Sequence, residues 1–174
     1  MSFLQRIFGR TDRRVAFDPL YRAIVASARE PAWYREGSVP DTVDGRFGLV
    51  AALTALVLLR LEKEGEAGRE PAVLLTELFV ADMDASLRQI GIGDYVVGKH
   101  IGRLMGALGG RLGTLREARA QRAPLEPFVR RNIFHDAPPS DEAAAWVSER
   151  LERIATALDA EPLAALLAGA MPAP

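Results

Sequence analysis

The sequence predicts an all-α fold: a single compact bundle of about six helices around a central hydrophobic helix, with flexible N- and C-terminal ends. Three observations carry this. Alanine and leucine are abundant, and no stretch alternates apolar and polar residues as a strand would. Apolar residues recur at helical spacing, as in Leu75, Phe79, Met83 and Leu87. From Phe47 to Leu59 only Gly48 and Thr54 interrupt an apolar run of 13 residues. A membrane span needs ~20, so this run reads as a buried helix at the centre of a bundle.

The 174 residues suffice for one domain with a sizeable core and no metal or disulfide to staple it. Three regions are expected: a basic amphipathic segment at 1–14, a helical core at 15–137, and a C-terminal helix with a frayed tail at 138–174 packed on the same domain. The absence of cysteine excludes a disulfide framework and a thiol nucleophile. A net charge of −1 argues against a specific nucleic-acid binder.

In chain order, Phe3, Leu4, Ile7 and Phe8 face away from Gln5, Arg6 and Arg10, and residues 1–22 carry five Arg against two Asp. Such a segment suits an anionic membrane surface. Docking on the domain, or disorder, is the reading preferred by a small margin. It lacks the long apolar core and the cleavage site of a secretory signal. Asp18 with Pro19 opens a helix to about Glu30, and Pro31 ends or redirects it. Asp41 or Asp44 is expected to cap the central helix. Glu62 to Glu70 reads as a charged loop, with Pro71 at the first position of the next helix.

That helix ends at Gly91, where a left-handed residue fits, with Ile92 as its apolar contact. Gly93 gives a second turn, and Asp94 is placed to cap a helix from Tyr95 to about Leu108. Val97, Ile101, Leu104, Met105 and Leu108 form its inner side. Gly98, Gly102 and Gly106 stand at strict four-residue spacing, each costing roughly 1 kcal/mol against alanine. Tight packing against the central helix is the preferred explanation. The functional one is a strip on which a client's apolar helix lies. Gly109, Gly110 and Gly113 should break this helix. Residues 111–131 are basic, with six Arg and two Glu. Pro138 and Pro139 precede a last helix, capped by Ser140 or Asp141 and running to about Leu158.

Two blocks resemble a known family. Asp82-Met83-Asp84, Ser86-Leu87-Arg88, Gly91-Ile92-Gly93-Asp94, Val97 and Gly98-Lys99 are similar to a signature of the ubiquinol-cytochrome c chaperone family. Tyr21-Arg22 and Pro40-Asp41-Thr42-Val43-Asp44-Gly45-Arg46-Phe47 resemble its other signature. Together they span roughly Leu20 to Leu112. Gln89 stands where the family has an acidic residue, and Leu108-Gly109-Gly110-Arg111 where it more often has Phe-Tyr-Gly-Arg. The resemblance implies a non-enzymatic chaperone or assembly factor acting on newly synthesised cytochrome b during biogenesis of the cytochrome bc1 complex. A small partner protein, the ribosome exit region and the inner face of the cytoplasmic membrane are the further contacts it implies.

Residue chemistry agrees with a non-enzyme that needs no cofactor. His100 and His135 are far apart, with no third imidazole. Asp82, Asp84 and Ser86 suggest a calcium loop, but Gly is missing at the sixth position and Gly93 replaces the bidentate Glu. Gly91-x-Gly93 follows a helix, so it is no dinucleotide fingerprint. The two blocks are expected to converge on one polar surface beside an apolar cleft. Asp94 and Lys99 are the leading candidates for client or partner contact, with Gly98, Gly102, Gly106, Arg46 and Asp84. Asp41, Asp44, Gly45, Asp82, Arg88, Gly91 and Gly93 are assigned mainly structural roles. Two alternatives stand beside this: a helical interaction module with another partner, and a peripheral membrane protein using its N-terminal segment.

Overall fold

A computed structural model of the chain describes residues 17–89, 97–135 and 137–172, with backbone alone at 87 and 97–101. Its elements are α1 (17–28), α2 (Pro31–Arg35), α3 (Val43–Glu62), α4 (Glu66–Gln89), α5 (Val97–Gln121), α6 (Glu126–Asn132), α7 (Asp141–Ala160) and α8 (Leu163–Leu167). Among the described residues there is no strand.

The all-α bundle is organised around α3, in which every residue from Gly48 to Leu61 is buried. A helix apolar on all sides has no face to offer water, so its neighbours must enclose it. α4, α5 and α7 all pack on it. Leu75 and Phe79 come from α4, Leu104, Leu108 and Leu115 from α5, and Val147, Leu151 and Ile154 from α7. α1 adds Leu20 and Ile24, α6 adds Phe128 and Val129, and α8 adds Leu166.

Polar groups fasten the ends of this core. The buried Arg60 guanidinium donates from Nε to the Leu158 carbonyl and from Nη2 to that of Glu161, tying α3 to the end of α7. Trp33 is fully buried, donates from Nε1 to the Ser27 carbonyl and meets Trp146 edge-on at 6.0 Å. Arg150 lies over both indoles and reaches Glu30 at 2.8 Å.

Several boundaries differ from the expectations. Thr42, not Asp41 or Asp44, caps α3, its Oγ1 accepting from the Gly45 amide. Ser140 caps α7 through the Ala143 amide. α4 starts at Glu66, with Pro71 inside it. Pro71 has no amide to donate to the carbonyl one turn back, that of Ala67. Ala67 is exposed in the first turn of α4, where water can serve its carbonyl instead. α5 runs through Gly109, Gly110 and Gly113 to Gln121 because Leu108 and Leu115 are anchored in the core. Tertiary burial outweighs glycine's helix cost there.

Glycine serves two purposes in these helices. A Cβ at Gly48 would stand 2.7 Å from the Asn132 carbonyl oxygen and 3.1 Å from the Ile133 Cα, where α3 meets the end of α6. A Cβ at Gly106 would meet nothing within 4 Å among the described residues. Gly48→Ala should therefore cost about 1–3 kcal/mol by forcing α6 outward. Gly106→Ala should stabilise by about 0.5–1 kcal/mol. Urea unfolding of both variants checks the opposite signs.

Candidate functional site

α4 and α5 do not close completely over α3. Between them lies an open, mostly apolar groove of ≈ 670 Å³, floored by Leu58 and walled by Val73, Thr76 and Val80 of α4 and Met105 and Leu112 of α5. Val73 is 58% exposed and Met105 44%, high values for large apolar side chains. The wall of α4 is a second apolar stripe beside the core stripe of Leu75 and Phe79. Position 73 and position 80 are two turns apart on that face.

The glycines of α5 extend the groove's edge. At about 100° per residue, Gly102, Gly106, Gly109 and Gly113 fall on a strip flanking Met105, away from Leu104 and Leu108. A Cβ at any of these four would meet nothing within 4 Å among the described residues. The expectation that Gly102 and Gly106 pack tightly against the central helix is therefore corrected: the anchoring side of α5 is the leucine side, and no described residue packs on the glycine side. Met105, assigned above to the inner side, stands on the groove rim.

Acidic groups border the groove and are engaged. Glu62 accepts twice from Arg116, at 2.7 and 3.2 Å, which raises the Arg116 pKa. Asp84 accepts from Arg88 Nε at 2.9 Å across one helical turn. A pair this exposed contributes a few tenths of a kcal/mol.

The two sequence blocks are joined by the Tyr21–Asp82 hydrogen bond, and ring contacts tie the first block to residues flanking the second. Phe47 and Phe79 lie 6.1 Å apart, and the Arg111 guanidinium sits 5.3 Å from the Phe47 ring. Arg111 donates to the carbonyls of Ala107 and Asn132, and burial lowers its pKa. Asp82 accepts from the Tyr21 hydroxyl at 2.7 Å, joining α1 to α4. Arg46 pairs within its own block, Nε to Asp41 at 2.6 Å, which holds the Asp41 carboxyl below its ordinary range. Asp44 is exposed in the first turn of α3. A Cβ at Gly45 would stand 2.0 Å from the Pro40 carbonyl oxygen, so this loop requires glycine. Gly91, Gly93 and Asp94 lie outside the described residues, and at Gly98 and Lys99 only the backbone is described.

Among the described residues, no group of His, Cys, Asp and Glu is arranged to hold a metal ion. No described helix is long and apolar enough to cross a membrane.

The comparisons with known proteins agree with this architecture. A family model described as ubiquinol-cytochrome C chaperone matches residues 35–173. A solved structure, the crystal structure of the Cbp3 homolog from Brucella abortus, is similar with TM-score 0.81 and 28% sequence identity, covering 99% of this chain and 97% of that one. No curated protein matches the chain. The family match spans most of the sequence, and the chain belongs to the ubiquinol-cytochrome c chaperone family.

The Tyr21–Asp82 contact has a pH signature. Burial first, and then the hydrogen bond to Asp82, raise the folded-state phenol pKa well above its ordinary 10.0. The unfolded chain ionises near 10.0, so this stabilisation is full below that pH and is lost as pH rises through and beyond it. Tyr21→Phe should cost about 1 kcal/mol at neutral pH by stranding the Asp82 acceptor. It should also reduce the fall in stability between neutral pH and about pH 11, read as urea midpoints.

Proposed function

We propose that this member of the ubiquinol-cytochrome c chaperone family binds newly synthesised cytochrome b and shields an apolar segment of it in the α4/α5 groove until assembly of the bc1 complex proceeds. The observation that carries the reading is the groove itself, apolar, open and edged by exposed Val73 and Met105. Soluble monomers rarely leave such surface uncovered without a partner. The bare glycine strip beside it lets a client backbone approach α5 closely, as small residues do between membrane helices.

The energetics suit a transient holder. Each large apolar client side chain seated in the groove gains roughly 1.5–3 kcal/mol. A few such anchors outweigh the cost of association only modestly, so the client can leave again. The role is non-enzymatic: the groove is lined mostly by apolar side chains, and two of its three carboxylates, Glu62 and Asp84, are held by arginines. The protein would act beside the membrane that receives cytochrome b. Asp94, which precedes α5 in the sequence, and Lys99, in its first residues, remain proposed contacts for the client or for a second assembly factor.

The test is crosslinking during translation, with a photoreactive residue replacing Met105 in cells making the bc1 complex. A crosslink to cytochrome b is expected, and Val73→Asp should lower it severalfold while moving stability by no more than about 0.5 kcal/mol, as exposed positions allow. No crosslink from position 105, with normal bc1 levels in a deletion strain, would sink the proposal.

A further inference from the structure

A second cavity, on a different face, is built from charge. It is open, ≈ 430 Å³ in volume, and lined by Arg29, Pro31, Tyr34, Arg35, Asp41 and Arg46. Three arginines from separate positions face one space that contains a single carboxylate. Asp41 is engaged through Arg46 Nε alone, so both Nη groups of Arg46 have no partner among the described residues. Arg29 and Arg35 likewise have no ion pair among the described residues. Elsewhere Arg22, Arg60, Arg69, Arg88, Arg116 and Arg119 each hold a carboxylate, whereas Arg29 and Arg35 share one cavity with neither holding one among the described residues.

The backbone around this cavity is fixed, so the arginines start from defined positions. The Tyr34 hydroxyl donates to the Ala28 carbonyl at 2.9 Å, closing the turn between α1 and α2. The Val39 amide donates to the Trp33 carbonyl at 3.0 Å, holding the loop after α2. Gly37 is pressed against Trp33 and Trp146, and Gly45 against Pro40, where any Cβ would collide. Rigid surroundings lower the ordering cost that binding must overcome.

We propose that this cavity is an anion site that receives a phosphate group. Like charges held together without a counter-charge repel, and a bound anion relieves that repulsion. A planar carboxylate satisfies one guanidinium fork, whereas a tetrahedral phosphate offers oxygens in several directions at once, which suits three guanidinium groups lining one cavity. Its two negative charges also match the excess of three arginines over one aspartate. The phosphate belongs either to a lipid headgroup or to a soluble phosphorylated molecule. The site shares no residue with the α4/α5 groove, so it stands or falls apart from the client reading.

The experiment titrates the full-length protein with inorganic phosphate by calorimetry, and measures co-sedimentation with phosphatidylcholine vesicles with and without phosphatidic acid. Arg29→Gln/Arg35→Gln should weaken phosphate binding about tenfold or more, the loss expected for charged hydrogen bonds. Arg131→Gln/Arg153→Gln, which removes two exposed arginines elsewhere, should leave it unchanged, and thermal melting checks that both variants fold. Binding to the phosphatidic acid vesicles with the same sensitivity identifies a lipid headgroup as the source, while binding of free phosphate alone identifies a soluble ligand. Absence of saturable binding to both probes overturns the proposal, as does equal weakening in the two double variants.

Discussion

The burial of α3 on every side is the constraint from which the rest of the bundle follows. A helix with no polar face must be covered all round, and each neighbour contributes the one apolar stripe it has. Backbone groups at its ends then need partners that do not open the core. Thr42 supplies one at the start, and at the other end Arg60 directs its buried guanidinium to the carbonyls that finish α7. Removing water from α3 thus fixes the positions of α4, α5 and α7 together.

Close approach is the second consequence of that burial. Gly48 lets the end of α6 come down onto α3, and Gly45 lets the preceding loop fold back over the first turn. Both are places where one methyl group has nowhere to go. The glycines of α5 are the opposite case: no described residue lies within 4 Å of a Cβ placed on them, and α5 persists because its leucines are held in the core. Glycine that weakens a helix without any packing gain is where a binding surface is reasonably sought, since the fold alone gives no reason to keep it.

The two surfaces left over after folding differ in physical kind. The α4/α5 groove is apolar and open, suited to side chains that would otherwise aggregate. The cavity beside α2 is charged, small and rigidly framed, suited to a compact anion. Under the two proposals above, the groove and the cavity would serve different contacts. They lie on different elements, so each can be removed without the other.

Much of the fold was legible in the sequence. The 13-residue apolar run located α3, helical spacing located α4 and α5, and two motif blocks pointed to the family; periodicity and local turn chemistry depend on near neighbours only. The site was less legible. Met105 sits in the same apolar register as Leu104 and Leu108, and only the packing direction of α5 decides that it borders a groove instead of filling the core. The glycine strip read by preference as a surface packed on the central helix, because spacing gives a face but not what lies opposite it. Arg29, Arg35 and Arg46 are dispersed over three elements, and nothing in their spacing says that the α1–α2 turn and the α3 loop bring them to one cavity. Local pattern was enough to say which residues turn inward along most helices. Which gaps between helices stay open was settled only by tertiary packing, because that depends on how whole elements fit around α3.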